Sequence, residues 1–247
     1  MPWFRRLVVI LTLLLLGPFF SAATGMADIS GDWRTASRES AGIAPDPATV
    51  RDAVVQVYAA RTFSWRGAFA VHSWVAFKEK DGAHFETHEV VGWGVRYGGD
   101  AIRSQAGVPD RYWYGAKPFL LGEIRGAEAE KAIREIRTAI KTYPWPSSYR
   151  SWPGPNSNSF TAWVIRHSPS LAVDLPPTAI GKDYLGRGRF LDRAPSGGGF
   201  QVSLWGVFGV LASATEGFEV NILGLSFGVD PGSKALRLPG IGTAELW

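Results

Sequence analysis

His72 and Ser157 are the two side chains in this sequence best placed to do chemistry. His72 lies in Ala68–Lys78 (AFAVHSWVAFK), where Phe69, Val71, Val75 and Phe77 alternate with Ala70, His72, Trp74 and Ala76. That period of two predicts a strand, and the small neighbours of His72 leave room for a groove or ligand beside its ring. Ser157 lies in PGPNSNSF, where a turn-rich passage feeds a short helix predicted over Ser159–His167. Free backbone N–H groups and the positive dipole end at a helix start stabilise a developing anion. A hydroxyl there, facing an imidazole, would suit nucleophilic acyl chemistry. The competing reading of Ser157 is a helix cap, a role open equally to Asn156, Asn158 and Ser159 and worth about 1 kcal/mol. For His72 it is a partly buried ring satisfied by a backbone carbonyl.

Other constellations are weaker. His84, Glu86 and His88 alternate along HFETHEVVGW, and on one strand face two His and a carboxylate can hold a divalent metal. A solvated hairpin face explains them better, so neither a metal site nor a cofactor is expected. Gly224-Leu225-Ser226-Phe227-Gly228 matches a nucleophile elbow, but a turn follows it and no His lies beyond His167. Gly181-Lys182 lacks the remaining residues of a phosphate-cradling loop. Arg187, Arg189 and Arg193, beside Lys182, read as a solvated loop face, with an anionic envelope ligand as the weaker alternative.

Several elements must position the pair. Ala53–Arg61 and Ala68–Lys78 read as strands, and Asp81-Gly82 supplies a turn into a returning strand, His84–Trp93. Gly126–Tyr143 reads as a helix with Ile133, Ile136 and Ile140 on its buried stripe, ended by Pro144 and Pro146. Residues 28–52 form an extended lead-in. Phe200–Val229 is very apolar and suggests a long C-terminal hairpin, which either closes the core or rests against a membrane. Burial is the expectation, because an exposed apolar ribbon invites edge pairing.

The chain's start reads as an export signal or anchor, Met1–Ala27. Arg5 and Arg6 flank the apolar run Leu7–Phe20, and small residues follow. Residues 28–247 then form one globular domain, exported to the periplasm or held at the inner membrane facing outward. The formal charge is +4 over 247 residues. Two of those charges belong to Arg5 and Arg6, leaving too little for a nucleic-acid partner. With no Cys, thiol catalysis, disulfides and Cys-ligated zinc are excluded.

HSWVAFK, the return HEVVGW, the later amphipathic helix and NSNSF together resemble the circularly permuted papain-like superfamily, which includes NlpC-type peptidases and lecithin:retinol acyltransferases. In that superfamily a His-Trp strand precedes an Asn-Cys pair opening a helix, with Phe three residues after Cys. His72 and Trp74 are similar to the first element; Asn156, Ser157 and Phe160 are similar to the second. The resemblance implies an α+β fold, an antiparallel sheet packed with a few helices, to which the C-terminal hairpin is added. Ser157 and His72 would then be catalytic, with His84 (or His88 or Glu86) orienting the ring, and Asn156, Asn158, Trp74 and Trp152 would form a binding cleft. The nucleophile position holds Ser157, which His72 could assist only as a general base. GDWRTASRESAGIAPDP, VVQVYAARTFSWRGAFAVHSW, WPGPNSNSF, DLPPTAIGKDYL and LPGIG are similar, over nearly all of the mature chain, to a bacterial family of unknown function (DUF3750-like). Two functions follow as expectations. One is an envelope binding or structural module lacking the thiol, with a cell-wall or lipid ligand. The other is a serine-dependent hydrolase or acyltransferase acting on peptidoglycan peptides or lipid acyl groups.

Overall fold

The computed structural model describes residues 2–246. Met1, the first residue of the expected targeting segment, lies outside them. The chain is α+β, with two antiparallel sheets. The apolar start forms helix α1, Pro2–Ala23, whose 22 residues carry Pro18 inside. By length and composition α1 could cross a membrane.

The first sheet has the order β4-β3-β2-β1-β5. Its strands are β1 (Val54–Arg61), β2 (Val71–Lys78), β3 (Glu86–Val90), β4 (Ile102–Ala106) and β5 (Phe119–Arg125). β1 lies between β2 and β5 and is buried on both sides, which its run VVQVYAAR allows. On one face Val55, Val57, Val71, Val75 and Phe77 meet two helices, α2 (Gly126–Lys141) and α3 (Ser157–Arg166). α2 contributes Ala129, Ala132, Ile133, Ile136 and Ala139, the stripe that its helical period places on one side. Gly126 turns the chain sharply from β5 at φ +66°, and its N–H donates to the Ala53 carbonyl at 2.9 Å.

The opposite face carries Val54, Tyr58, Trp74, Ala76, Phe85 and Trp113, and the lead-in covers it with Ile43 and Val50. Asp110 clamps that lead-in: its carboxylate accepts from Ser40 Oγ at 2.8 Å and from the N–H groups of Ile43 and Ala44 at 2.6 and 3.1 Å. This face of the sheet is therefore a second packed core, with His72 at the end of β2 where that core meets a cavity.

The expected C-terminal hairpin is part of a larger element. β6 (Leu191–Arg193), β7 (Gly199–Leu204), β8 (Phe208–Ser213), β9 (Gly217–Ile222), β10 (Leu225–Asp230), β11 (Ala235–Leu238) and β12 (Gly242–Glu245) pair in sequence order as a meander. Its register pairs Phe200, Val202 and Leu204 with Ala212, Val210 and Phe208. These in turn face Phe218, Val220 and Ile222, which face Val229, Phe227 and Leu225. All twelve side chains share one face, and that face is outward: Phe200 is 51% exposed, Phe208 and Phe218 47% each. The inward face carries Gln201, Ser203, Glu219, Asn221, Ser226 and Arg237, all buried.

Lys182 corrects the sequence reading, since it is buried rather than on a solvated loop face. Its Nζ donates to Glu219 Oε2 at 2.6 Å and sits 3.3 Å from Asp183 Oδ1. Burial opposes the ammonium, but Asp183 and Glu219 outweigh it and hold the Lys182 pKa above its ordinary value. Arg237 completes the cluster by pairing with Glu219 and, at 2.8 Å, with Asp174 Oδ1. Apolar burial of the ribbon, the expectation from sequence, fails because this ionic cluster occupies its inner side.

Candidate functional site

The start of α3 separates capping from everything else. Asn156 is the cap: its Oδ1 accepts the backbone N–H of Asn158 at 3.0 Å and of Ser159 at 3.1 Å. The Ser159 hydroxyl closes the box by accepting the Asn156 N–H at 2.6 Å. Ser157 stands one residue inside the helix. Among the described residues, neither its hydroxyl nor its N–H bonds another protein group. The hydroxyl is thus free of the capping role that competed for it in the sequence.

Asn158 ties the helix to the sheet. Its Nδ2 donates to the carbonyls of Val71 and Ile180 at 2.9 and 2.8 Å, and its Oδ1 accepts from Ser73 Oγ at 2.8 Å. Asn156 Nδ2 donates to Ser151 and again to Ile180, both at 3.0 Å. The amides of both asparagines are spent on protein. They position the cavity wall and have little left with which to grip a ligand.

His72 opens β2 from the other side of the sheet. Its Nε2 lies 2.7 Å from Glu89 Oε2 on β3, and Glu89 Oε1 accepts from Arg111 Nη2 at 2.6 Å. The His72 ring stacks flat on Trp113, centroids 3.6 Å apart, and the Arg111 guanidinium covers Trp74 and Trp113. Burial lowers the His72 pKa below its ordinary value, against the opposing pull of Glu89. Burial alone would raise the Glu89 pKa, but His72 and Arg111 more than offset it and hold the carboxyl ionised. An ionised carboxylate only accepts, so Nε2 must carry the proton of the neutral ring. Nδ1 is then an unprotonated base, with no hydrogen-bond partner among the described residues.

His72 and Ser157 both line one cavity of ≈ 320 Å³, at the N-terminal end of β2. They reach it from opposite faces of the first sheet, Ser157 with the helices and His72 with the Trp74–Trp113 core. The two side chains share no hydrogen bond. The remaining walls are mostly apolar: Trp65, Phe69, Trp152, Ile180, Leu223 and Leu225. Trp152 is half exposed at the rim, and its Nε1 donates to the Leu223 carbonyl at 3.0 Å. That bond fastens the cavity mouth to the turn between β9 and β10.

The family described as "Protein of unknown function (DUF3750)" matches residues 52–184, more than half of the chain. The chain belongs to the DUF3750 family. No curated protein and no solved structure matches it. The matched span of this DUF3750 chain holds β1 to β5, α2 and α3, and with them His72, Glu89, Arg111, Trp152 and Ser157. The meander from β6 onward lies beyond it.

The structure brings Ser157, His72, Asn156, Asn158 and Trp152 to the same cavity. It does not bring His84 or Trp74 there. His84 is exposed in the bend before β3, and Trp74 is fully buried with its Nε1 on the Pro109 carbonyl at 2.7 Å. The alternatives to His84 are occupied elsewhere. His88 stacks on Phe77 on the helix face, and Glu86 pairs with Arg137 at 3.0 Å. Among the described residues, no three His, Asp or Glu side chains converge as a metal site. The orienting group is Glu89, which the sequence reading passed over. Glu89 shares strand parity with Phe85 and Thr87, which alternation turns away from His84, Glu86 and His88 and toward the core. An acid at a core-facing parity requires a buried partner, and that was the usable signal.

Proposed function

We propose that this chain is an exported envelope protein, anchored by α1, whose cavity binds the acyl part of an amphipathic ligand on a permuted papain-like fold lacking the thiol nucleophile. One observation carries the reading: a cavity of ≈ 320 Å³ with aromatic and aliphatic walls holds the unspent hydroxyl and N–H of Ser157 among them. Such a site suits an apolar chain with one polar end, since the walls remove apolar surface from water and two free groups can meet the head. The chain order supports the permuted papain-like part, because the His72 strand precedes the helix that Ser157 opens. The test is energy transfer from tryptophan to a dansyl fatty acid, using the full chain held in amphipathic polymer. Saturable transfer that Trp152→Ala weakens by about tenfold, the effect of roughly 1.4 kcal/mol of lost contact, is expected. Transfer that does not saturate, or that Trp152→Ala leaves unchanged, overturns the binding reading.

A second reading is favoured by the tautomer of His72. An unprotonated Nδ1 could take the Ser157 proton while Oγ attacks an acyl carbon, of a lipid or a peptidoglycan peptide, with the Ser157 N–H facing the oxyanion. This needs the two side chains to close a gap that no hydrogen bond now spans, and active sites do tighten around substrate. A fluorophosphonate probe separates the readings. Labelling that Ser157→Ala abolishes establishes serine chemistry; absence of labelling by several such probes leaves binding alone.

A further inference from the structure

We propose that the outward face of the C-terminal meander is a membrane-docking surface, seated on an anionic lipid bilayer beside α1. Across β7 to β10 every outward position is apolar, and no acid lies on the outward face of any strand of the sheet. The usual arrangement is inverted, because the polar side chains of these strands are the buried ones. An exposed face of this kind marks an interaction site.

Two features select lipid as the occupant. The first is continuity with α1: Gly17 and Pro18 pack directly on the Pro239–Ile241 turn that joins β11 to β12. Arg61 ties the same turn to β1, donating to the Gly240 and Ile241 carbonyls at 2.6 and 3.0 Å. A helix able to cross the bilayer therefore holds this sheet by its edge at the bilayer surface. The second is charge. The exposed charges next to the face on the β6 side are Arg187, Arg189 and Arg193, and Trp205 sits among them with its Nε1 on the Arg187 carbonyl at 3.2 Å. Arginines and tryptophan rimming an apolar surface complement anionic headgroups above acyl chains. The strands have at most six residues, about 20 Å, too short to span the hydrocarbon, so the sheet lies on the membrane rather than crossing it. Leu223 and Leu225 also line the cavity, so its mouth opens at the rim of this face.

The chain's lack of Cys makes the test direct. Phe218→Cys, Phe227→Cys and, as a control on exposed α2, Lys131→Cys are each labelled with an NBD fluorophore. The full chain is reconstituted in vesicles of phosphatidylcholine and phosphatidylglycerol, with or without nitroxide-bearing phospholipid. At positions 218 and 227 a blue shift is expected, with most of the emission lost to the nitroxide lipid; position 131 changes in neither respect. Probes at 218 and 227 that emit as in water overturn the proposal. So does a blue shift that the lipid nitroxide cannot quench, since a second copy of the chain would then be covering the face.

Discussion

Glu89 holds two partners in a dry site, and replacing it tests whether that geometry organises the cavity wall. Glu89 is 1% exposed and bonds His72 at 2.7 Å and Arg111 at 2.6 Å. Glu89→Gln keeps the shape, and its amide oxygen can still accept from His72 Nε2. Arg111 is then left without a counter-ion. Removing one partner of a fully buried pair costs about 3–5 kcal/mol. Arg111 retains 15% side-chain exposure, so part of its charge is solvated and the expected loss is about 2–3 kcal/mol. The assay is urea unfolding of the full chain in mild detergent at neutral pH, with Arg111→Met completing a double-mutant cycle. Arg111→Met alone strands the Glu89 carboxylate and should also destabilise. Both changes together should cost less than the sum of the two, by about 1.5 kcal/mol or more. Single losses below about 1 kcal/mol, or strict additivity, would refute the idea that Glu89 is organised by these contacts.

Acid should weaken the fold through His88, whose pKa burial pushes down to about 4 from 6.5. Below pH 6.5 the unfolded chain takes up a proton that the folded chain refuses, so stability falls from pH 6.5 to about 4, by about 3 kcal/mol from this residue. His72, shifted the same way, adds to the slope. His88→Phe, which keeps the stack on Phe77, should flatten that pH dependence without abolishing it, and an unchanged slope in unfolding curves taken across this range counts against the assignment. Asn158→Ala removes three bonds of 2.8–2.9 Å at about 1 kcal/mol each, so a loss of about 2–3 kcal/mol in urea unfolding is expected. A loss under 1 kcal/mol would mean that Asn158 does not hold α3 to β2.

Much of the first sheet and its helices was legible because each obeys one period. Phe69 to Phe77 alternate, the α2 isoleucines recur at helical spacing, and Pro144 and Pro146 follow the end of α2. The helix expected from Ser159 begins at Ser157, because the cap falls on Asn156 within a run of four polar residues that could each have served. Glu89 was hidden by parity: His84, Glu86 and His88 mark one strand face by their spacing, while Glu89 points to the other. The meander was half legible. Its alternation was present in the sequence, with Gln201, Ser203, Glu219, Asn221 and Ser226 at every second position. Alternation says that a strand has two unlike faces, and only tertiary context says which one is inside. The inner side here is chosen by Lys182 and Asp183, which arrive from a loop, and by Arg237, from two strands further on.

That inner cluster also explains how the sheet keeps an apolar face outward without losing its register. Sliding β9 by one residue against its neighbours would move Glu219 to the outer face and strand both Lys182 and Arg237 without it. Of their carboxylate partners Lys182 would keep only Asp183 and Arg237 only Asp174, and each buried cation would lose its Glu219 contact, a loss that burying Phe218 or Val220 in its place does not restore. Charge complementarity therefore does for this sheet what apolar burial does for an ordinary one, and the apolar side chains, freed from that task, are available to a partner. The same loop that delivers Lys182 and Asp183 carries Ile180, whose carbonyl accepts from both Asn156 and Asn158. Four residues of chain, Ile180 to Asp183, thus connect the ionic centre of the meander to the helix start that holds Ser157, so binding at the apolar face and the shape of the cavity share one mechanical link.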